Sequence, residues 1–120
     1  MEKYFGEWST AEDVMDAFRI DAKEFQEMTI IAAGYDCESY EGSAMVVFRK
    51  EGKLYEVHGS HCSCNGLDDQ WSPEETTYEA LIDRLNKTKE YMVNKLGAEF
   101  ELALRKGLLD EMFEREVLLS

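Results

Sequence analysis

The sequence predicts an α+β domain: an N-terminal helix, a three-stranded antiparallel sheet with a tight hairpin at Glu51-Gly52, an irregular Cys/His loop, and two or three C-terminal helices packed on the sheet. Three observations lead there. Helical apolar spacing occupies both ends of the chain, β-branched and alternating stretches occupy its middle, and glycines mark several of the joints. At 120 residues with 44% hydrophobic side chains, the chain has room for one core and enough apolar surface to fill it, so a single compact domain over residues 1–120 is expected.

The first helix follows Ser9-Thr10, either of which is placed to cap it. Ala11-Glu12-Asp13 puts acids at its positive end, and Val14 and Phe18 form its apolar face up to about Arg19. Met28 to Ala33 is apolar and β-branched, as a buried strand requires, and Gly34 then loosens the chain toward a polar link through Tyr40-Glu41-Gly42. Ala44 to Arg49 and Lys53 to His58 read as the second and third strands. Between them Gly52 adopts positive φ at little cost and closes the hairpin.

Past the third strand, Ser72-Pro73-Glu74-Glu75 and Thr76-Thr77-Tyr78-Glu79 each offer a hydroxyl followed three positions later by glutamate, the pattern of a capping box. One of the two is expected to start a long helix carrying Leu81, Ile82, Leu85, Met92 and Leu96 on one face. Gly97 breaks it. In the final helix Phe100, Leu104, Leu108 and Met112 form one stripe, and Leu102, Leu109, Phe113 and Val117 widen it. That width fits either a helix buried on two sides or one that pairs with a partner or a second copy of the chain.

The chemistry-bearing residues concentrate in one run, His58-Gly59-Ser60-His61-Cys62-Ser63-Cys64, which holds both histidines and two of the three cysteines. His58, His61, Cys62 and Cys64 are a chemically complete tetrahedral set for zinc, with Cys37 as a substitute ligand. Their spacing is tighter than the separated ligand pairs of structural zinc sites. In a strand His61 would turn away from the other three, so the reading needs an irregular loop. A packed, metal-free turn is the plainer alternative. A Cys/His enzyme is the third, although the surrounding acids would raise a thiol pKa, and no phosphate-binding glycine loop or hydrolase motif accompanies the pair. No catalytic residue is assigned.

The net charge of −13 excludes a nucleic-acid-binding role by basic contacts and points to a basic partner. Asp68, Asp69, Glu74, Glu75 and Glu79 occur without an intervening lysine or arginine, and Trp71 stands among them as an aromatic anchor. These six residues are the candidate partner-binding set. No apolar run reaches the roughly 20 residues that cross a bilayer, no basic-then-apolar leader opens the chain, and the cysteine number is odd. A cytoplasmic protein with reduced thiols and no membrane partner is therefore expected.

The stretch from Gly52 through Cys64, continuing through Gly66-Leu67, Gln70-Trp71 and Pro73 to Thr76, resembles a signature found in small proteins encoded by phages and prophages. A weaker echo covers Tyr40-Glu41-Gly42 to Phe48. The resemblance implies a setting inside a bacterium, where inhibitors of host or defence proteins are common, and implies no catalytic residues. Joined to the charge, it leads to the expectation of a small acidic interaction protein that binds and modulates a bacterial protein, by mimicking nucleic-acid charge or through an anchored conventional interface. A zinc-binding module that dimerises through its C-terminal helices is the alternative.

Overall fold

A computed structural model describes residues 3–38, 41–61, 67, 70–87 and 98–119. The central element is a five-stranded mixed sheet of β1 (Tyr4–Gly6), β2 (Thr29–Glu38), β3 (Glu41–Lys50), β4 (Lys53–His61) and β5 (Glu74–Thr76), ordered β1-β2-β3-β4-β5. β1 runs parallel to β2, and every other neighbouring pair is antiparallel. The expected three-stranded antiparallel sheet is thus corrected by one short strand added at each edge. Three residues are too few to display alternation, so β1 and β5 owe their strand character to pairing rather than to pattern. β1 is pinned at both ends, by the Ala33 amide donating to the Lys3 carbonyl at 2.7 Å and the Glu7 amide donating to the Tyr35 carbonyl at 2.8 Å.

The hairpin between β3 and β4 forms where the sequence places it, with Lys50 opposite Lys53. Its two central residues both have positive φ, 52° at Glu51 and 78° at Gly52, the type I′ geometry whose twist matches the flanking strands. β2 is longer than its apolar core. It runs on through Tyr35, Asp36 and Cys37 because β3 offers it a continuous partner edge down to the Glu38–Glu41 pair. Between Ile30 and Ala32 the register shifts by a bulge that leaves Ile31 as the extra residue, so Ile31 and Ala32 both join the core on one side of the sheet.

Helices cover the two faces unequally. α1 (Ala11–Phe18) and the short α2 (Ala22–Gln26) lie on one face, where Val14, Phe18, Met28, Val46, Phe48 and Val57 form a core closed by Trp8 and Leu67. α3 (Tyr78–Lys87) and α4 (Ala98–Leu119) cover the other with Leu81, Leu85, Phe100, Leu104 and Leu108 against Ile31, Met45 and Val47. Helices were expected to pack on the sheet; they do so as outer layers around it.

Local chemistry sets the helix ends. Thr10 caps α1 in a full capping box: the Asp13 amide donates to Thr10 Oγ1 at 3.3 Å, and Asp13 Oδ2 accepts from the Ser9 and Thr10 amides at 2.7 and 3.1 Å. Those backbone hydrogen bonds, Ser9 first, lower the Asp13 carboxyl from its ordinary value. Arg19 ends the helix in the left-handed region at φ 58°. For α3, neither predicted box forms. Thr77 Oγ1 accepts from the Ala80 amide at 3.1 Å, while Glu74–Thr76 is taken up by β5. The continuation of the predicted long helix through Met92 and Leu96, and the break expected at Gly97, lie outside the described residues; α4 is described from Ala98 onward.

Candidate functional site

Strand alternation sorts β4 into two sets. Tyr55 and Val57 join the core under α1, while Leu54 packs on the α3/α4 side, which places Glu56 and His58 on that side as well. Glu56 is the buried charged residue of the described chain, 4% exposed, and its surroundings explain why it is tolerated there. Arg84, on α3, donates from Nη1 to Glu56 Oε1 at 2.6 Å and from Nη2 to Oε2, and Nη2 also reaches Thr76 Oγ1 at 3.5 Å. His58 Nε2 lies 2.7 Å from Glu56 Oε1. An ionised carboxylate only accepts, so this contact assigns the proton to Nε2.

The electrostatics of Glu56 are a contest. Burial raises its carboxyl, and the hydrogen bonds from His58 and Arg84, the Arg84 charge and Thr76 together outweigh burial and bring it from 4.5 down to about 2. The group is therefore a permanent anion that locks α3 onto β4 and orients the His58 ring. Neither Glu56 nor Arg84 was singled out from the sequence. In Leu54-Tyr55-Glu56-Val57-His58 the glutamate occupies the phase that a one-sided sheet would leave in water, and only the covering helix, far along the chain, makes it a buried residue.

Of the four predicted zinc ligands, the structure describes His58 with its side chain and His61 by its backbone alone. β4 continues through His61, so the segment expected to begin an irregular loop at His58 is regular strand for its first four residues. His58 stands opposite Met45 and His61 opposite Gly42, three residues apart and so at positions of opposite parity. His58 is held by Glu56 on the α3/α4 side. Cys62 and Cys64, like the His61 side chain, lie outside the described residues. Cys37, the substitute ligand, is an exposed free thiol near the end of β2, opposite Gly42. Tyr35, two residues earlier, is pushed up to about 12 by burial, by its hydrogen bond with Cys37, and by the charges of Cys37 and Glu7. Among the described residues no three His, Cys, Asp or Glu side chains converge as a metal cluster.

The partner-binding candidates divide similarly. Asp68 and Asp69 lie outside the described residues. Trp71 is half-buried, stacked on Phe48 with centroids 5.7 Å apart at 13° and edge-on to Phe18 at 5.2 Å and 64°, so its ring belongs to the core under α1. Its buried Nε1 has no hydrogen-bond partner among the described residues. Just before it, the Gln70 carboxamide pairs with the Ser60 backbone in both directions, at 2.8 and 2.7 Å, as a strand would. That side chain caps part of the β4 edge beyond β5. Glu74 and Glu75 sit on β5, an edge strand, and Glu79 in the first turn of α3; all three are exposed.

No profile of a known protein family, no curated protein and no solved structure matches the chain.

Two further expectations meet the structure in part. No helix among the described residues is long and apolar enough to cross a membrane. On α4, Phe100, Leu104 and Leu108 are fully buried while Leu102 and Leu109 are 67% and 54% exposed, so the wide apolar arc resolves into a core stripe and an outward pair.

Proposed function

We propose that the chain is a small acidic interaction protein, of phage type, that binds a bacterial host or defence protein and inhibits it by presenting carboxylates where that protein receives nucleic-acid phosphates. The observation that carries the reading is the exposed acidic edge of Glu74, Glu75 and Glu79 on β5 and the start of α3. The cation nearest in sequence, Arg84, is drawn inward to the buried Glu56. The edge thus keeps its negative field, and the net charge of −13 adds to it at long range. A rigid sheet edge fixes the spacing of the charges, as competition with a regular phosphate backbone requires.

The conventional-interface mode, anchored on Trp71, receives less support, because that indole is spent on Phe18 and Phe48. The test is competition. A bacterial protein captured by the chain is titrated with duplex nucleic acid at several salt concentrations. Mutual exclusion that weakens steeply with salt supports charge mimicry. Simultaneous binding of chain and nucleic acid contradicts it.

A further inference from the structure

The two edges of the sheet are guarded unequally. β5 carries Glu74 and Glu75, both exposed, and like charges along an edge keep a second such edge away. β1, at the other edge, is Tyr4-Phe5-Gly6 and holds no charge. Its inward hydrogen bonds fall on alternate residues: the Lys3 carbonyl accepts from the Ala33 amide, and the Glu7 amide donates to the Tyr35 carbonyl. Strand alternation therefore turns the Tyr4 amide and carbonyl outward, where no further strand lies among the described residues. A cavity of about 430 Å³ opens at this edge and straddles the plane of the sheet. Tyr4 and Trp8 wall it on the α1 side, and Phe5 walls it on the other, edge-on to Phe100 with centroids 5.6 Å apart at 79°. Two exposed residues of opposite charge also line it, Lys3 at the entry to β1 and Glu99 in the first turn of α4.

We propose that β1 pairs antiparallel with β1 of a second copy of the chain, joining two sheets into one. With Tyr4 opposite Tyr4 about a two-fold axis, the two residues exchange both backbone hydrogen bonds, and Lys3 of each copy comes opposite Phe5 of the other. Lys3 shares the strand phase of Phe5, so its ammonium is delivered on the α4 side, toward Glu99 of the other copy. The contact forms twice, as a two-fold interface requires, and an edge that bears both signs is complementary to itself. The net charge of −13 opposes association at long range, so the edge that pairs is the one where a cation meets an anion. The proposal is independent of the inhibitor reading and leaves a β5 edge at each end of the joined sheet.

The test is sedimentation equilibrium of the untagged, full-length chain up to about 1 mM, with Tyr4→Pro, Lys3→Glu, Glu99→Lys and the double reversal Lys3→Glu/Glu99→Lys. The expected result is a monomer–dimer equilibrium in the unaltered chain. Tyr4→Pro removes the outward amide and abolishes the dimer, while each single reversal sets like charges opposite one another and weakens it at least about tenfold. The double reversal restores it. Net charge alone predicts otherwise, since Glu99→Lys makes the chain less negative and should then strengthen association. Far-UV circular dichroism confirms the fold of each variant, and the reversals, at exposed positions, keep the test decisive if Tyr4→Pro fails to fold. A monomer at every concentration, a dimer strengthened by Glu99→Lys, or a double reversal no better than the single changes each overturns the proposal. A dimer indifferent to all four variants, as one formed through the exposed Leu102 and Leu109 of α4 would be, overturns it as well.

Discussion

Arg84 of α3 holds the carboxylate of Glu56 in β4 with both terminal guanidinium nitrogens, and His58 donates to the same carboxylate from the strand. A charge with this little access to water is tolerable only while its partners stay. Removing Arg84 leaves the buried Glu56 carboxylate with its hydrogen bonds from His58 and Thr76 but without its opposite charge. Arg84→Met is predicted to cost about 2–4 kcal/mol, and Arg84→Met with Glu56→Leu less than the single change, because the pair then leaves together. Urea unfolding of the two variants measures both.

The same group sets an acid limb of stability. Glu56 has its carboxyl lowered from 4.5 to about 2, so folding is favoured by its ionisation. Its contribution is complete above the unfolded value and is lost as pH falls from about 4.5 toward 2. The loss is on the order of 3 kcal/mol at most by linkage. Unfolding free energy measured at pH 6, 4 and 3 should fall more steeply for the unaltered chain than for Glu56→Gln. Parallel profiles would remove Glu56 as the source.

Glu51 stands in the left-handed region at φ 52°, where a side chain with a Cβ is disfavoured and asparagine is the usual occupant before glycine. Glu51→Asn is expected to stabilise by about 0.5–1 kcal/mol, visible as a rise in Tm with no change in denaturant slope.

Gly107 lies inside α4, where alanine would ordinarily gain about 1 kcal/mol of helix propensity. Here a Cβ would stand 2.5 Å from Ile31 Cγ2, the branched methyl of the bulged residue in β2. The close approach reverses the sign. Gly107→Ala should destabilise by about 1–2 kcal/mol in the unaltered chain and by less in an Ile31→Ala background, where the methyl group it meets is gone although that background is itself less stable.

The parts of this fold visible in the sequence are those whose pattern is local. Val46, Val47, Phe48 and Tyr55 alternate about a turn that Glu51-Gly52 dictates, and Thr10 with Asp13 writes its own helix start. The edge strands are not local. Glu74-Glu75 reads as the opening of a helix, and only pairing with Tyr55 and Glu56 makes it β5. The Cys/His run shows a related effect: His58 and His61 are three residues apart in sequence, yet β4 carries them as strand residues of opposite parity. Cys37 and His61, far apart in the chain, share a row because β3 lies between them. Glu56 and Arg84 are likewise joined only by the packing of α3 on the sheet, which no periodicity within either segment encodes.

The central claim, that the β5 edge is the surface a basic partner recognises, is tested most directly by paired affinity capture from nuclease-treated bacterial lysate. The baits are the unaltered chain and Glu74→Gln/Glu75→Gln/Glu79→Gln, whose substitutions fall on exposed positions and leave the core intact. The account predicts one stoichiometric, nucleic-acid-binding protein retained by the first bait, released by salt, and largely absent from the second. Equal capture by both baits, or no protein retained by either, would contradict it.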